Sequence, residues 1–279
     1  MIQLENLSFG YNKKKLLYND LNLKLEPGSI YGLLGKNGAG KSTLLKIITG
    51  MLFPSKGEIL VNGQSPKKRL PSFLESIYFI PEEVDVPPLT IKRYTNLFAP
   101  FYKNFNEKQL YTFLDELEVN HKGKLTELSF GQQKKFIIAF ALACNTQVLI
   151  LDEPTNGLDI PSKSWFRKLI SLALNEQRTI IISTHQVRDL DNLIDQVLVL
   201  EEGRLMLNKT MAEIGEKLCF KTLPQIENKD DILYSESSLK GYSVVCKNIH
   251  GEDTRVNLEH LFNALTQNPE KLTAIFNQQ

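Results

Sequence analysis

In the stretch GLLGKNGAGKST, Gly35 is followed after four residues by Gly40, Lys41 and Ser42. These residue types at this spacing suit a polyphosphate. The loop through Lys36, Asn37, Gly38 and Ala39 to Thr43 lets the backbone wrap closely around the ligand, and its N–H groups and the following helix start supply positive potential. Lys41 reaches the terminal phosphates, and the Ser42 hydroxyl suits Mg²⁺. A glycine-rich turn that binds nothing has no reason to place Lys and Ser there. Further along, VLILDEPTNGLD sets Asp152 and Glu153 at the end of an apolar run. One carboxylate can hold Mg²⁺ through water while the next positions and deprotonates an attacking water. Adjacent acids alone are usually a solvated loop, but behind a buried strand and beside a phosphate loop the catalytic reading takes precedence.

Other residues carry weaker signals. His185, in ISTHQ, also ends an apolar run, and its imidazole could bond a γ-phosphate and orient water or serve structure alone. Tyr11, in FGYNKKK, could stack on an adenine face or be a loop aromatic. In LSFGQ, Ser129 and the Gly131 N–H stand at a predicted helix start as donors without acids, as an anionic ligand requires. Ser129 reads equally well as the cap of a helix continuing through KKFIIAFALA.

The elements that must position these residues are legible as apolar patterns. LNLKLE alternates as a half-buried strand, whereas IYGLLG, VLILDE, TIIIST and QVLVLEE are nearly continuous apolar runs, the pattern of strands buried on both faces. The glycine loop opens a helical pattern through Ile48. The expected fold is α/β: a mostly parallel sheet preceded by antiparallel strands from Ile2 to about Leu25. From Pro81 to Glu127 the character becomes helical, with an expected capping box of Asn106 and Gln109 and with Leu110, Phe113, Leu114 and Leu117 at helical spacing. Beyond about Thr210 the chain turns polar, with a strand expected at GYSVVCKNI and a helix at LEHLFNAL. The expected division is 1–209, with a helical part at about 82–135, and an accessory α/β region at 210–279.

Bulk properties exclude some classes. The 279 residues are 42% hydrophobic and 23% charged, ordinary globular usage with no internal repeat. Lys+Arg 33 against Asp+Glu 32 gives a net charge of +1, so there is no global field of the kind that gathers nucleic acid, and no nucleic-acid partner is expected. Cys144, Cys219 and Cys246 are few and widely spaced, which argues against a disulfide framework or a zinc cluster and for a reducing compartment. The start, MIQLENLSF, reads as a strand, and no run approaches the roughly 18 apolar residues of a membrane span. A soluble, cytoplasmic protein is the expectation.

With these residues in order, the stretch from 2 to 208 resembles the ATP-binding subunit of an ABC transporter. The resemblance implies that Tyr11 is the adenine-stacking aromatic, GKNGAGKS the Walker A loop, and Glu82 the occupant of the Q-loop position and a possible metal ligand. It makes LSFGQ the signature, VLILDE the Walker B strand with Glu153 as catalytic base, Asp159 the D-loop acid, and His185 the H-loop switch. ATP and Mg²⁺ follow as cofactors. So does head-to-tail pairing with a second copy or a homologous ATPase, in which Ser129, Gly131, Gln132 and Asp159 cover the partner's nucleotide. An integral membrane permease is the further partner, at the inner face of the cell membrane, and the short helical insert with FYKNF looks like that of bacterial exporter ATPases. Two positions depart from the family pattern: Phe130 stands where a glycine is common, and Glu82 where most members have Gln. The alternative is a non-transport ABC protein acting in translation or DNA repair. Those typically carry tandem cassettes or a long coiled-coil insertion, and neither pattern is present.

Overall fold

The computed structural model describes every residue except 13, 14, 191, 227–230, 240, 278 and 279. The chain opens with β1 (Ile2–Phe9), β2 (Tyr18–Leu25) and β3 (Ser29–Leu34), and the glycine loop then leads into α1 (Lys41–Ile48). β4 (Lys56–Val61), α2 (Pro71–Leu74) and β5 (Ile77–Ile80) follow. Next come α3 (Ile91–Phe98), α4 (Glu107–Glu116) and α5 (Phe130–Ala143). The chain returns to alternating elements with β6 (Val148–Asp152), α6 (Ile160–Ala173), β7 (Thr179–Thr184), β8 (Gln196–Glu201) and β9 (Arg204–Thr210). It ends with α7 (Met211–Lys217), β10 (Leu218–Leu223), β11 (Ile232–Ser238), β12 (Gly241–Lys247), α8 (Leu258–Gln267) and α9 (Pro269–Asn277).

A six-stranded sheet of order β5-β6-β7-β3-β8-β9 is parallel except at β9, which runs antiparallel to β8. Every residue of β6 and β7 is buried, which explains their unbroken apolar sequences. Because side chains alternate across a strand, each buried strand serves two cores. Leu149, Leu151, Ile180 and Ile182 point into a core shared with the helical part and the C-terminal region. Val148, Ile150 and Ile181 point into a second core against α1 and the antiparallel sheet. That sheet has the order β2-β1-β4, so its third strand arrives only after α1. The C-terminal sheet, of order β10-β12-β11, contains the expected strand as β12, and α8 is the expected helix.

One local expectation is corrected. The Asn106 side chain accepts from the Gln109 N–H at 3.0 Å, but the return half of the capping box does not form. Gln109 Oε1 instead accepts from Asn145 Nδ2 at 2.9 Å, and the Asn106 N–H donates to the Ala143 carbonyl. Asn145, just beyond the end of α5, thus occupies the Gln109 oxygen that the capping box would have used. Among the described residues, no helix is long and apolar enough to cross a membrane.

The sheet register sets the site. Leu34 pairs with Thr184 and Asp152 with Ser183, so the glycine loop, the Asp152–Glu153 pair and His185 all leave the same carboxyl edge of adjacent strands. Ligands collect at that edge in open α/β sheets.

Candidate functional site

The phosphate loop folds as its glycines require. Gly40 caps α1 with φ of 110°, and a Cβ there would lie 2.6 Å from the Tyr18 hydroxyl, so only glycine fits. The same hydroxyl donates to the Gly40 carbonyl at 2.5 Å and fixes the loop from the antiparallel sheet. Lys41 is buried, and its ammonium donates to the Gly35 carbonyl at 2.8 Å and to the Lys36 carbonyl at 3.3 Å. Burial holds this ammonium below the usual lysine range, against the opposing pull of Glu153, Asp152 and Glu82.

Glu153 is the best-held carboxylate of the site. It is 4% exposed, sits in the left-handed region at φ of 47°, and its backbone N–H is 3.1 Å from the Ser183 carbonyl. Oε2 accepts from Thr184 Oγ1 at 3.1 Å, and Oε1 accepts from the His185 N–H at 2.9 Å. His185 Nδ1 also lies 2.9 Å from Oε1, a donor position when that nitrogen carries the proton. Lys41 Nζ stands 3.8 Å from the same oxygen. Asp152, likewise buried, accepts from the Ser183 hydroxyl.

A cleft of about 560 Å³ gathers Tyr11, Asn37, Gly38, Gly40, Lys41, Ser42, Thr43, Glu82 and Glu153. Tyr11 stands at its mouth, 70% exposed, with its hydroxyl 2.9 Å from Thr43 Oγ1 and its ring edge-on to Phe9. A ring anchored at one end and open on a face can stack on a base. Glu82 is exposed on the opposite side, and its Oε1 accepts from Asn156 Nδ2 at 3.0 Å. His185 lines a neighbouring cleft of about 200 Å³ with Gly35, Lys36, Asn37, Thr184, Val187 and Phe262 of α8.

Ser129, Gly131, Gln132 and Asp159 do not line the cleft of their own chain. Ser129 caps α5, accepting from the Gln132 N–H at 3.3 Å, and Asp159 caps α6, accepting from the Ser162 N–H at 2.8 Å. The hydrogen bonds from Ser162 hold the Asp159 carboxyl below its usual range. The departure at Phe130 has a structural partner: its ring lies where a Cβ on Gly157 would fall, 2.9 Å away.

Sequence reasoning missed Lys134, Asn156, Ser183, Thr184 and Phe262. Ser183 and Thr184 precede a histidine on a buried strand, a signal available in the sequence. Phe262 comes from a distant helix, and only packing brings it near.

The chemistry this arrangement offers is phosphoryl transfer to water, with a cationic cradle, a buried carboxylate base and hard oxygen donors within one cleft. Comparison with known proteins agrees. The family model described as ABC transporter matches residues 18–156. An ABC transporter ATP-binding protein of Methanocaldococcus jannaschii is 31% identical over 271 residues, covering 94% of this chain and 97% of the relative. The SkfA peptide export ATP-binding protein of Bacillus subtilis is 30% identical over 223 residues, covering 78% of this chain and 92% of the relative. A solved structure of the ATP-binding subunit of an ABC transporter superposes with a TM-score of 0.71 at 26% identity, covering 77% of this chain and 91% of that one.

Proposed function

This chain belongs to the ABC transporter family as an ATP-binding and ATP-hydrolysing subunit, and from that premise we propose how its residues divide the work. Tyr11 stacks on adenine, and the loop from Gly35 to Thr43 wraps the phosphates. A terminal phosphate carries more negative charge than the Gly35 and Lys36 carbonyls, so it draws Lys41 toward itself. When bound, Mg²⁺ neutralises phosphate charge, and Ser42, Asp152 and Glu82 offer the oxygen donors that suit it. Glu153 takes the proton of the attacking water as that water's oxygen bonds to the γ-phosphorus and the bridging oxygen to the β-phosphate leaves. His185 holds Glu153 in register for that step. The observation that carries this reading is the buried Glu153 carboxylate, bonded by Thr184 and His185 and 3.8 Å from the phosphate-loop lysine.

Ser129, Gly131, Gln132 and Asp159 serve the nucleotide of a second subunit, either another copy or a homologous ATPase, closing head to tail. Their position at the exposed starts of α5 and α6, outside their own cleft, supports this assignment. Residues 1–209 act as the ATPase unit and 210–279 as an accessory region. The helical part at 82–135, with Glu82 at its junction, meets an integral membrane permease at the inner face of the membrane. The direction of transport is export, for which the support is the name of the Bacillus subtilis relative.

The test mixes two lesions. Lys41→Ala disables a subunit's own phosphate site, whereas Ser129→Ala disables the site held by its partner, so each homodimer is doubly damaged. In a mixed dimer both lesions fall in one composite site and leave the other intact. Phosphate release and ATP-dependent dimerisation should both recover on mixing. One hydroxyl bonded to a charged phosphate is worth about 1.5–3 kcal/mol, enough for the Ser129→Ala homodimer to be clearly impaired. A verified mixed dimer no better than the mean of the two homodimers in both assays overturns the trans assignment.

A further inference from the structure

Lys134 is a lysine with no exposed surface. It lies on α5, five residues beyond Ser129, and its ammonium donates to the carbonyls of Glu153 at 2.9 Å, Asn156 at 2.9 Å and Glu82 at 3.4 Å. The Phe130 ring covers it, with its centroid 5.9 Å from Nζ. A buried ammonium is costly unless its three donors are satisfied, and here three main-chain acceptors converge on it. They belong to two separate segments: the turn after β5, which supplies Glu82, and the loop from β6 to α6, which supplies Glu153 and Asn156.

Glu153 is the acceptor that matters chemically. Its φ of 47° is a conformation that a non-glycine residue adopts at a cost, and it persists only where the surroundings impose it. The imposing contacts lie on both sides of the residue. Ser183 accepts from the Glu153 N–H, and Lys134 donates to the Glu153 carbonyl. The backbone so fixed aims the carboxylate at Thr184 and His185.

We propose that Lys134 is the positioning residue for Glu153: its ammonium clamps the carbonyl of the base and the loop just beyond it, ties both to the turn after β5, and so sets where the proton-accepting oxygens point. The role rests on Glu153 acting as the base. Lys134 does not line the nucleotide cleft, so its loss should leave nucleotide binding alone. A misplaced base costs turnover instead, and a displacement of 1 Å can cost about 10²-fold.

The experiment uses the full chain with Lys134→Met, which keeps length and removes the donors, and Lys134→Gln, which keeps two N–H donors without the charge. The Met variant should lose about tenfold or more in kcat for phosphate release. Affinity for a fluorescent ATP analogue should stay within about twofold, and the Gln variant should recover part of the lost kcat. If the Met variant does not fold by circular dichroism, the Gln variant decides, with the same split between kcat and affinity required of it. A second arm pairs each chain with a Lys41→Ala partner, so that one composite site works. Lys134→Met should slow that site when carried by the chain supplying Glu153 and leave it unchanged when carried by the Lys41→Ala chain. A folded variant with wild-type kcat, a parallel loss of affinity and kcat, or a loss that follows the chain supplying Ser129 overturns the proposal. Should Glu153→Gln itself leave turnover intact, the failure belongs to the choice of base and not to Lys134.

Discussion

Two carboxylates stand side by side at the end of β6, yet their surroundings differ. Asp152 receives a hydroxyl from Ser183, while Glu153 receives Thr184 and His185 and faces Lys41. Of the two, Glu153 is the one that lines the cleft with the phosphate loop, and the proposed base role falls to it. Glu153→Gln keeps the size of the side chain and its bond from Thr184 but removes the basic oxygen. Turnover should fall by about 10²–10⁴, the usual worth of a positioned base, while MgATP still binds through Lys41 and Ser42. Near-normal phosphate release by the purified variant would remove Glu153 from its role. At this scale the sequence was informative wherever residue type and spacing carry the chemistry, as in the loop from Gly35 to Thr43. It was silent on Lys134, because a lysine beside another lysine reads as a solvated helix face. The fact that decides otherwise is three carbonyls contributed by two loops remote from it in sequence.

Elements were legible where one pattern dominates. β6, β7 and β8 are buried on both faces and betray themselves as apolar runs, whereas β4 has three exposed residues and β5 is only four residues long. α8 was visible as a helical pattern, but its docking site was not, since docking depends on another surface. In the structure Phe262 of α8 lines the cleft that also holds His185, Lys36 and Asn37, and Glu259 bonds Arg188 at 2.7 Å. That ion pair is largely exposed and contributes about 1 kcal/mol or less. Phe262 also packs against the buried cluster that contains Val187 and Leu190 of the segment after His185. Phe262→Ala should therefore reduce kcat through a looser His185 while leaving the affinity for ATP unchanged, because no residue of α8 lines the larger cleft. The half-buried side chain should cost about 1–3 kcal/mol of stability, read as a lower melting temperature. An unchanged kcat in a variant of lowered stability would limit α8 to packing.

At the scale of the whole molecule, the C-terminal region and the ATPase unit share one core, which no pattern within either segment could announce. Leu193, Val197 and Leu207 belong to the same buried cluster as Ile214, Leu218, Leu258, Leu261 and Leu272, and α7 and α9 both pack on β9. A chain ending after Asn208 keeps the residues that line the nucleotide cleft, from Tyr11 to Glu153. It loses the cover of its own edge strand. Each large apolar side chain returned to water costs about 1.5–3 kcal/mol, so uncovering two or three of them removes a large part of the roughly 5–15 kcal/mol that holds a domain together. The truncated chain should melt about 10 °C or more below the full chain. Nucleotide should nevertheless rescue it, because a ligand at a hundred times its Kd adds about 2.7 kcal/mol to the folded state. The two outcomes are separable by melting each chain with and without saturating MgATP. A rise in both, from a lower starting point in the truncated chain, places the tail in stability alone. A truncated chain that is folded by circular dichroism yet gains nothing from MgATP would make the C-terminal region part of the nucleotide site, with Phe262 as the first residue to suspect.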